Sequence, residues 1–362
     1  MAASFKYNTD QLHSEAVDLL KQLISTQSIS REEDKTADLI QRYFEEQEVP
    51  TERKGNNVWV KNQDFDDSKP TVLLNSHHDT VKPNAGYTRD PFYPSEEDGK
   101  LFGLGSNDAG GALVSLIMTF MYFYTQKDLK YNLILAATAE EEISGPGGIK
   151  SILRELGEIS FGIVGEPTEM DMAIHEKGLI VLDCYARGVA GHAARDEGEN
   201  AIYLAMKDIE WFRNYQFPKT SETLGPIKMS VTMISSGTQH NVVPDTCHFV
   251  VDVRTTDAYS NEATLELIRA QVNCEVQERS TRLQPSGITK DHEIVKAAEA
   301  LDTKFFGSPT MSDQALMPFP TVKIGPGDSN RSHMPDEYIF VEEIKEGIMG
   351  YLMLLNKLFK SN

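Results

Sequence analysis

Apolar side chains recur at three- and four-residue spacing over residues 9–26 (Leu12, Ala16, Leu19, Leu20, Leu23, Ile24). They do so again over 33–47 (Leu39, Ile40, Tyr43, Phe44), so the pattern predicts two amphipathic helices. The period then changes. Short apolar runs at 57–61, 71–76, 132–138 and 161–165 read as buried parallel strands, with helical stretches at 110–126 and 147–156 between some of them. The longest apolar stretch, 110–124, falls short of the ~18–20 residues that cross a bilayer. It reads as a buried core helix, with the aromatic cluster at 121–124 as part of the core.

A second pattern begins near residue 178. Strand-like runs at 180–185, 227–234, 247–254 and 275–282 alternate with helical ones at 199–213 and 260–272. The order βαββαβ is that of a ferredoxin-like unit. After a polar turn the chain resumes its first pattern, with a helix at 292–301, a short strand at 320–324 and a final helix at 341–360. At 362 residues the chain exceeds what one core usually holds. The expected organisation is a discontinuous α/β domain, 1–177 with 286–362, carrying an inserted α+β lid at 178–285.

Charge narrows the partners. The formal net charge is −20, from 55 acidic and 35 basic residues. Such a surface repels phosphate backbones and anionic membranes, so neither nucleic acid nor membrane is an expected partner. Cys184, Cys247 and Cys274 are odd in number and widely spaced, which is neither a disulfide framework nor a CxxC metal motif. Buried free thiols and a reducing, cytoplasmic setting are expected, and the N-terminus shows no apolar leader pattern.

The chemistry gathers at strand ends. His77, His78 and Asp79 follow one apolar run, Glu140, Glu141 and Glu142 follow a second, and Glu166 follows a third. Ligands of open parallel sheets bind beyond the carboxyl ends of the strands. A single acidic loop would be an ordinary solvated surface. Three such loops on one rim would repel one another and raise their pKa values unless a cation lay among them. Mixed imidazole and carboxylate donors suit zinc.

The segments HHDTV, GLGSNDAGG, AEEEISG, GEPT, GHAA and SHMPDE occur in that order. In this the chain resembles the M20 family of zinc aminoacylases and peptidases, over about residues 70–340. The resemblance implies an α/β, mixed-sheet, zinc-peptidase-like domain with an inserted ferredoxin-like lid that also makes a homodimer. It implies two Zn2+ per chain, with Co2+ as an alternative. His77, Asp108 and Glu166 would hold the first ion, and Asp108, Glu142 and His333 the second, Asp108 bridging. His78 is the other histidine in register. Asp79 would orient the imidazole, Glu141 would act as general base, and a cis peptide would follow Asp108. His192 would steady the oxyanion across a dimer interface. Asn241, Arg254, Gly327 and Ser329 would bind substrate, Arg254 by forking onto a carboxylate; a lid salt bridge is the competing reading of that arginine. Glu337 would brace the loop carrying His333.

The implied activity is hydrolysis of the N-acyl amide of a small amino acid, with acetylornithine or acetylcitrulline as substrate. The same motifs serve desuccinylases, dipeptidases and tripeptidases. Two other classes compete. A non-catalytic relative should lack a ligand or the base, and here all are present. A dinucleotide-dependent oxidoreductase lacks its GxGxxG fingerprint, as a phosphate-binding loop lacks its Lys-Ser/Thr.

Overall fold

The computed structural model describes residues 8–195 and 197–360. They divide into two compact units, one of 8–174, 288–306 and 312–360, the other of 175–287 with 307–311.

In the first unit the helix Thr9–Ile24 starts at Asn8, whose side chain caps Gln11 while Gln11 caps Asn8 in return. Its buried stripe, including Leu12, Ala16 and Leu20, packs in one core with the helices Gly111–Tyr124 and Val341–Lys360. The helix Gly111–Tyr124 is buried along nearly its whole length, as the sequence predicts, with Met121 and Phe123 in the core. Beside these helices lies a mixed sheet in the order Thr51–Lys54, Asn57–Lys61, Asn132–Thr138, Thr71–His77, Phe161–Val164, Thr321–Lys323, Met172–Glu176. The four strands from Asn132–Thr138 to Thr321–Lys323 are mutually parallel, so their carboxyl ends share one rim.

Two expectations are corrected. Asn57–Lys61 runs antiparallel to Asn132–Thr138, because it forms a hairpin with Thr51–Lys54 before joining the sheet. The stretch 147–156 is no single helix: a 3-10 turn at Ile149–Ser151 precedes one α-turn at Leu153–Leu156, which Gly157 ends at φ 79°. Glycines at 145, 147 and 148 and Gly157 leave too few residues between them for a longer helix.

The second unit is a ferredoxin-like layer pair. Its antiparallel sheet has the order Lys228–Ser236, Thr246–Thr255, Gly178–Arg187, Glu275–Glu278. The last strand ends at Glu278, short of the expected 282. Residues of Gly178–Arg187 alternate strictly in burial. Ile180, Leu182, Cys184 and Ala186 meet the helices Ala201–Asn214 and Asn261–Arg269, sharing a core with Ala205, Phe212 and Ile268. All three cysteines are free and buried in this unit. Among the described residues no helix is long and apolar enough to cross a membrane.

Candidate metal centre

The parallel strands deliver the chemistry. His77 is the last residue of Thr71–His77. Beyond Thr138 a 3-10 turn at Glu141–Ile143 presents two glutamates, flanked by Glu140 and Ser144 in left-handed backbone conformations. Glu166 follows Val164 by two residues, and the loop beyond Thr321–Lys323 brings round His333. Asp108 lies in the tight turn ahead of the helix Gly111–Tyr124, and the Asp108–Ala109 peptide is cis, as the resemblance implied. A Cβ at Gly110 would collide with the carbonyl oxygen of Gly105, so glycine there is a condition of the turn.

These side chains converge. His77 Nε2 lies 3.3 Å from Asp108 Oδ1 and 3.9 Å from both Glu141 Oε2 and Glu166 Oε1. His333 Nε2 lies 2.9 Å from Glu142 Oε2 and 3.7 Å from Asp108 Oδ2. Asp108 therefore turns one oxygen to each imidazole. Two donor groups stand close enough to grip an ion, His77 with Asp108 and Glu142, and His77 with Glu141 and Glu166. The His77 side chain is 1% exposed and that of His333 56%, so the pair spans the depth of the rim.

The neighbouring residues fix which nitrogen faces inward. His77 Nδ1 lies 3.0 Å from the main-chain oxygen of Asp79, an acceptor only, so Nδ1 donates and Nε2 is left to the carboxylates. The Asp79 carboxylate is 3.5 Å from the same nitrogen. Its oxygens accept from the backbone N–H groups of Glu141 (3.0 Å) and Glu142 (3.3 Å) and from Ser30 Oγ (2.7 Å). Asp79 thus ties the histidine to the two glutamates. His78 has both nitrogens engaged, at 2.9 Å from Thr36 Oγ1 and 2.8 Å from the Asn56 carbonyl. Its burial lowers its pKa to about 4, so it stays a neutral, structural ring.

Burial dominates the electrostatics. It pushes the Glu141 carboxyl well above the usual range, with Glu166, Asp313 and Glu142 adding repulsion against His77. Burial also raises Glu142, and takes Glu166 up to about 8. Against its own burial, Asp108 is held low by His77, and His333 is lifted to about 9 by Glu142. So many carboxyls around two imidazoles, with the Lys323 ammonium acting on Glu166, form a donor set that divalent cations satisfy.

Glu337, together with two residues that sequence reasoning passed over, Asp313 and Glu33, completes the centre. Glu337 is buried, and its oxygens accept from the backbone N–H groups of Gly105 (3.1 Å), Asn107 (2.9 Å) and Asp108 (2.9 Å). It braces the Asp108 turn, not the His333 loop as expected. Burial lifts its carboxyl to about 8. Asp313 is buried and accepts from Thr138 Oγ1 at 2.7 Å, beneath the turn that carries Glu141. Glu33, fully buried, accepts from the Glu140 backbone N–H at 3.1 Å. Glu140 is half-buried and accepts from Gly147 N at 3.0 Å, shaping the loop that follows.

The expected substrate residues fall in two places. Gly327, at φ 90°, packs against Asn107 in the first unit, and Ser329 opens a short 3-10 turn there. His192, Asn241 and Arg254 belong to the second unit. His192 and Asn241 are exposed, and the His192 ring accepts from Ala194 N. Arg254 forks onto Asp252 at 2.9 and 3.1 Å.

Fold and rim together define a metal-dependent hydrolase of the α/β class. A family model described as peptidase family M20/M25/M40 matches residues 73–357, and the chain belongs to that family, whose members hydrolyse amide or peptide bonds. It is 28% identical over 299 residues to an acetylornithine deacetylase of Myxococcus xanthus, covering 76% of this chain and 77% of the relative. A succinyl-diaminopimelate desuccinylase of Psychromonas ingrahamii is 27% identical over 376 residues, covering 94% and 97%. Among solved structures, the Bacillus subtilis YXEP protein, described as a dinuclear metal binding peptidase from the M20 family, superposes with a TM-score of 0.73. The sequences are 17% identical over 98% of this chain and 100% of that one.

Proposed function

We propose that this protein removes an acyl group from the nitrogen of a small amino acid, with acetylornithine or acetylcitrulline as substrate. The observation that carries the reading is the placement of Asp108, one oxygen toward His77 and the other toward His333, amid Glu141, Glu142 and Glu166. His77, Asp108 and Glu166 would hold one zinc ion; Asp108, Glu142 and His333 would hold the other. When bound, such a pair polarises the scissile carbonyl and acidifies a water.

The chain's own residues do the rest. Glu141 takes the proton of the attacking water and hands it to the amine nitrogen as the C–N bond breaks. Burial raises the Glu141 carboxyl above the ordinary range, which strengthens it as a proton acceptor. Asp79 keeps the His77 ring in one tautomer and the Glu141–Glu142 turn in register with it. Arg254 would release Asp252 to receive the substrate carboxylate.

The desuccinylase relative and peptidase structures support a second reading, with a succinylated or dipeptide substrate. Turnover of acetyl-, succinyl- and dipeptide substrates, with zinc or cobalt supplied, separates the two. Acetylated amino acids should be cleaved with the highest kcat/KM; cleavage of dipeptides or tripeptides alone would remove the deacetylase reading.

We also propose a homodimer through the ferredoxin-like unit, with His192 of a second copy steadying the oxyanion. The edge strand Lys228–Ser236 exposes Met233 (62%) and Ile234 (58%), and the adjacent helix exposes Tyr203 (67%) and Met206 (58%), an apolar face that pairing would cover. Sedimentation showing a monomer at assay concentrations would rule it out.

A further inference from the structure

The segment that delivers Glu166 to the rim runs on through Pro167 and Thr168 into Glu169, Met170 and Asp171. These last three wall a cavity of about 620 Å3 that contains none of the candidate metal ligands. Its volume lies in the range of small-molecule sites. Another wall is the final helix, Val341–Lys360, which contributes Glu346, Met349 and Met353.

Packing shows that this helix is fitted closely to the cavity wall. A Cβ on Gly350 would meet Met170 Cε at 2.6 Å, and one on Gly347 would meet Pro326 at 2.7 Å. Glycine inside a helix costs about 0.5–1 kcal/mol relative to alanine. At these two positions close approach of the loops gives it a reason.

The lining is of two kinds. Leu301, Ile324 and Leu354 give an apolar floor, while Met349 and Met353 remain 38% and 49% exposed at its edge. Thioether side chains adapt to the shape of an apolar ligand. The charges are all of one sign. Among the described residues no lysine or arginine lines the cavity, and Arg331 pairs with Glu343 by a fork of 2.6 and 3.0 Å. Glu169, Asp171, Asp302 and Glu346 have no ion pair among the described residues. Glu169, Asp302 and Glu346 are exposed at the cavity edge and Asp171 is half-buried, and such acids beside an apolar lining complement one ligand chemistry: cationic ends joined by hydrocarbon.

We propose that this cavity is a binding site for a small aliphatic di- or polyamine, its methylenes on the leucine and methionine surface and its ammonium groups among Glu169, Asp171, Asp302 and Glu346. The site contains none of the candidate metal ligands, borders the centre only at Gly327, and does not depend on the substrate assigned there.

Calorimetric titration of the full chain with 1,6-diaminohexane tests it, with the uncharged 1,6-hexanediol as the comparison. Saturable binding at one site per chain is expected for the diamine and none for the diol. The double variant Glu169→Gln/Glu346→Gln should weaken the diamine at least tenfold. The control Glu210→Gln/Glu266→Gln, two exposed acids of the other unit, should leave it unchanged. Met353→Lys, which sets an ammonium at the edge of the cavity, should abolish binding. Equal binding of the diol, equal weakening by both double variants, full binding by Met353→Lys, or no saturable binding would each overturn the proposal.

Discussion

The two units treat their polar residues differently. On the rim of the mixed sheet the decisive contacts join partners distant in sequence: Asp79 with Ser30 and with the Glu141 N–H, His333 with Glu142, and the Asp108 turn with Glu337. In the ferredoxin-like unit the corresponding candidates bond to near neighbours, Arg254 to Asp252 two residues away and His192 to Ala194. Ordering is therefore complete on the rim before any substrate arrives. The lid residues stay free to exchange a local partner for a ligand. Preorganisation suits groups that must meet cations and a proton; exchangeable pairs suit groups that must grip and release a substrate.

The sharpest way to break this contrast is Glu141→Gln. If the rim is preorganised around its charges, turnover should fall at least a thousandfold while metal content by mass spectrometry stays at the wild-type level. Substantial residual activity would take Glu141 out of the chemistry. Next in size is Glu337→Ala, which leaves every candidate ligand side chain in place but removes the acceptor for three N–H groups of the Asp108 turn. Metal affinity, read by chelator competition, should weaken about 10- to 100-fold, the usual effect of losing an outer partner. Unchanged affinity would mean that the turn holds itself.

Arg254→Ala probes the exchangeable side. It should raise KM by about 10-fold or more with kcat little changed, since a hydrogen bond to a charged group contributes ~1.5–3 kcal/mol. A shift in melting temperature with no change in KM would leave Arg254 as a lid strut. The smallest effect belongs to Asp183, whose carboxyl Arg279, together with His248, holds down at about 2, below the ordinary value near 3.9. Its pairing stabilises the fold above pH 4 and ceases to do so as the pH falls toward 2. Asp183→Asn should therefore cost about 1 kcal/mol at neutral pH, allowing for solvent screening, and the gap from wild type should close below pH 4. Amide exchange in the strand Gly178–Arg187 would report it.

Much of the rim was legible because parallel strands read as unbroken apolar runs and the residues that follow them must share an edge. The ordered motifs located Asp108 and His333, which no periodicity marks. Long-range pairing stayed hidden. Asp313, and the turn that Glu337 braces, depend on hydrogen bonds to groups some 175–230 residues earlier in the chain, and an acid in a sequence carries no sign of that. The direction of Asn57–Lys61 was hidden too, since a strand buried on both faces looks the same whichever way it runs. His77 and His78 could be told apart only by the Thr36 hydroxyl and the Asn56 carbonyl that occupy both nitrogens of the second ring.

The brace from Glu337 to the Asp108 turn spans 229 positions of sequence. A ribosome-bound chain that has exposed its first three hundred residues already carries His77, Asp108, Glu142 and Glu166, yet lacks both the imidazole of His333 and the clasp on that turn. Until its closing stretch is synthesised the chain therefore holds the donors around His77 but neither the second imidazole nor the clasp, so the full rim is among the last parts of the fold that can be assembled.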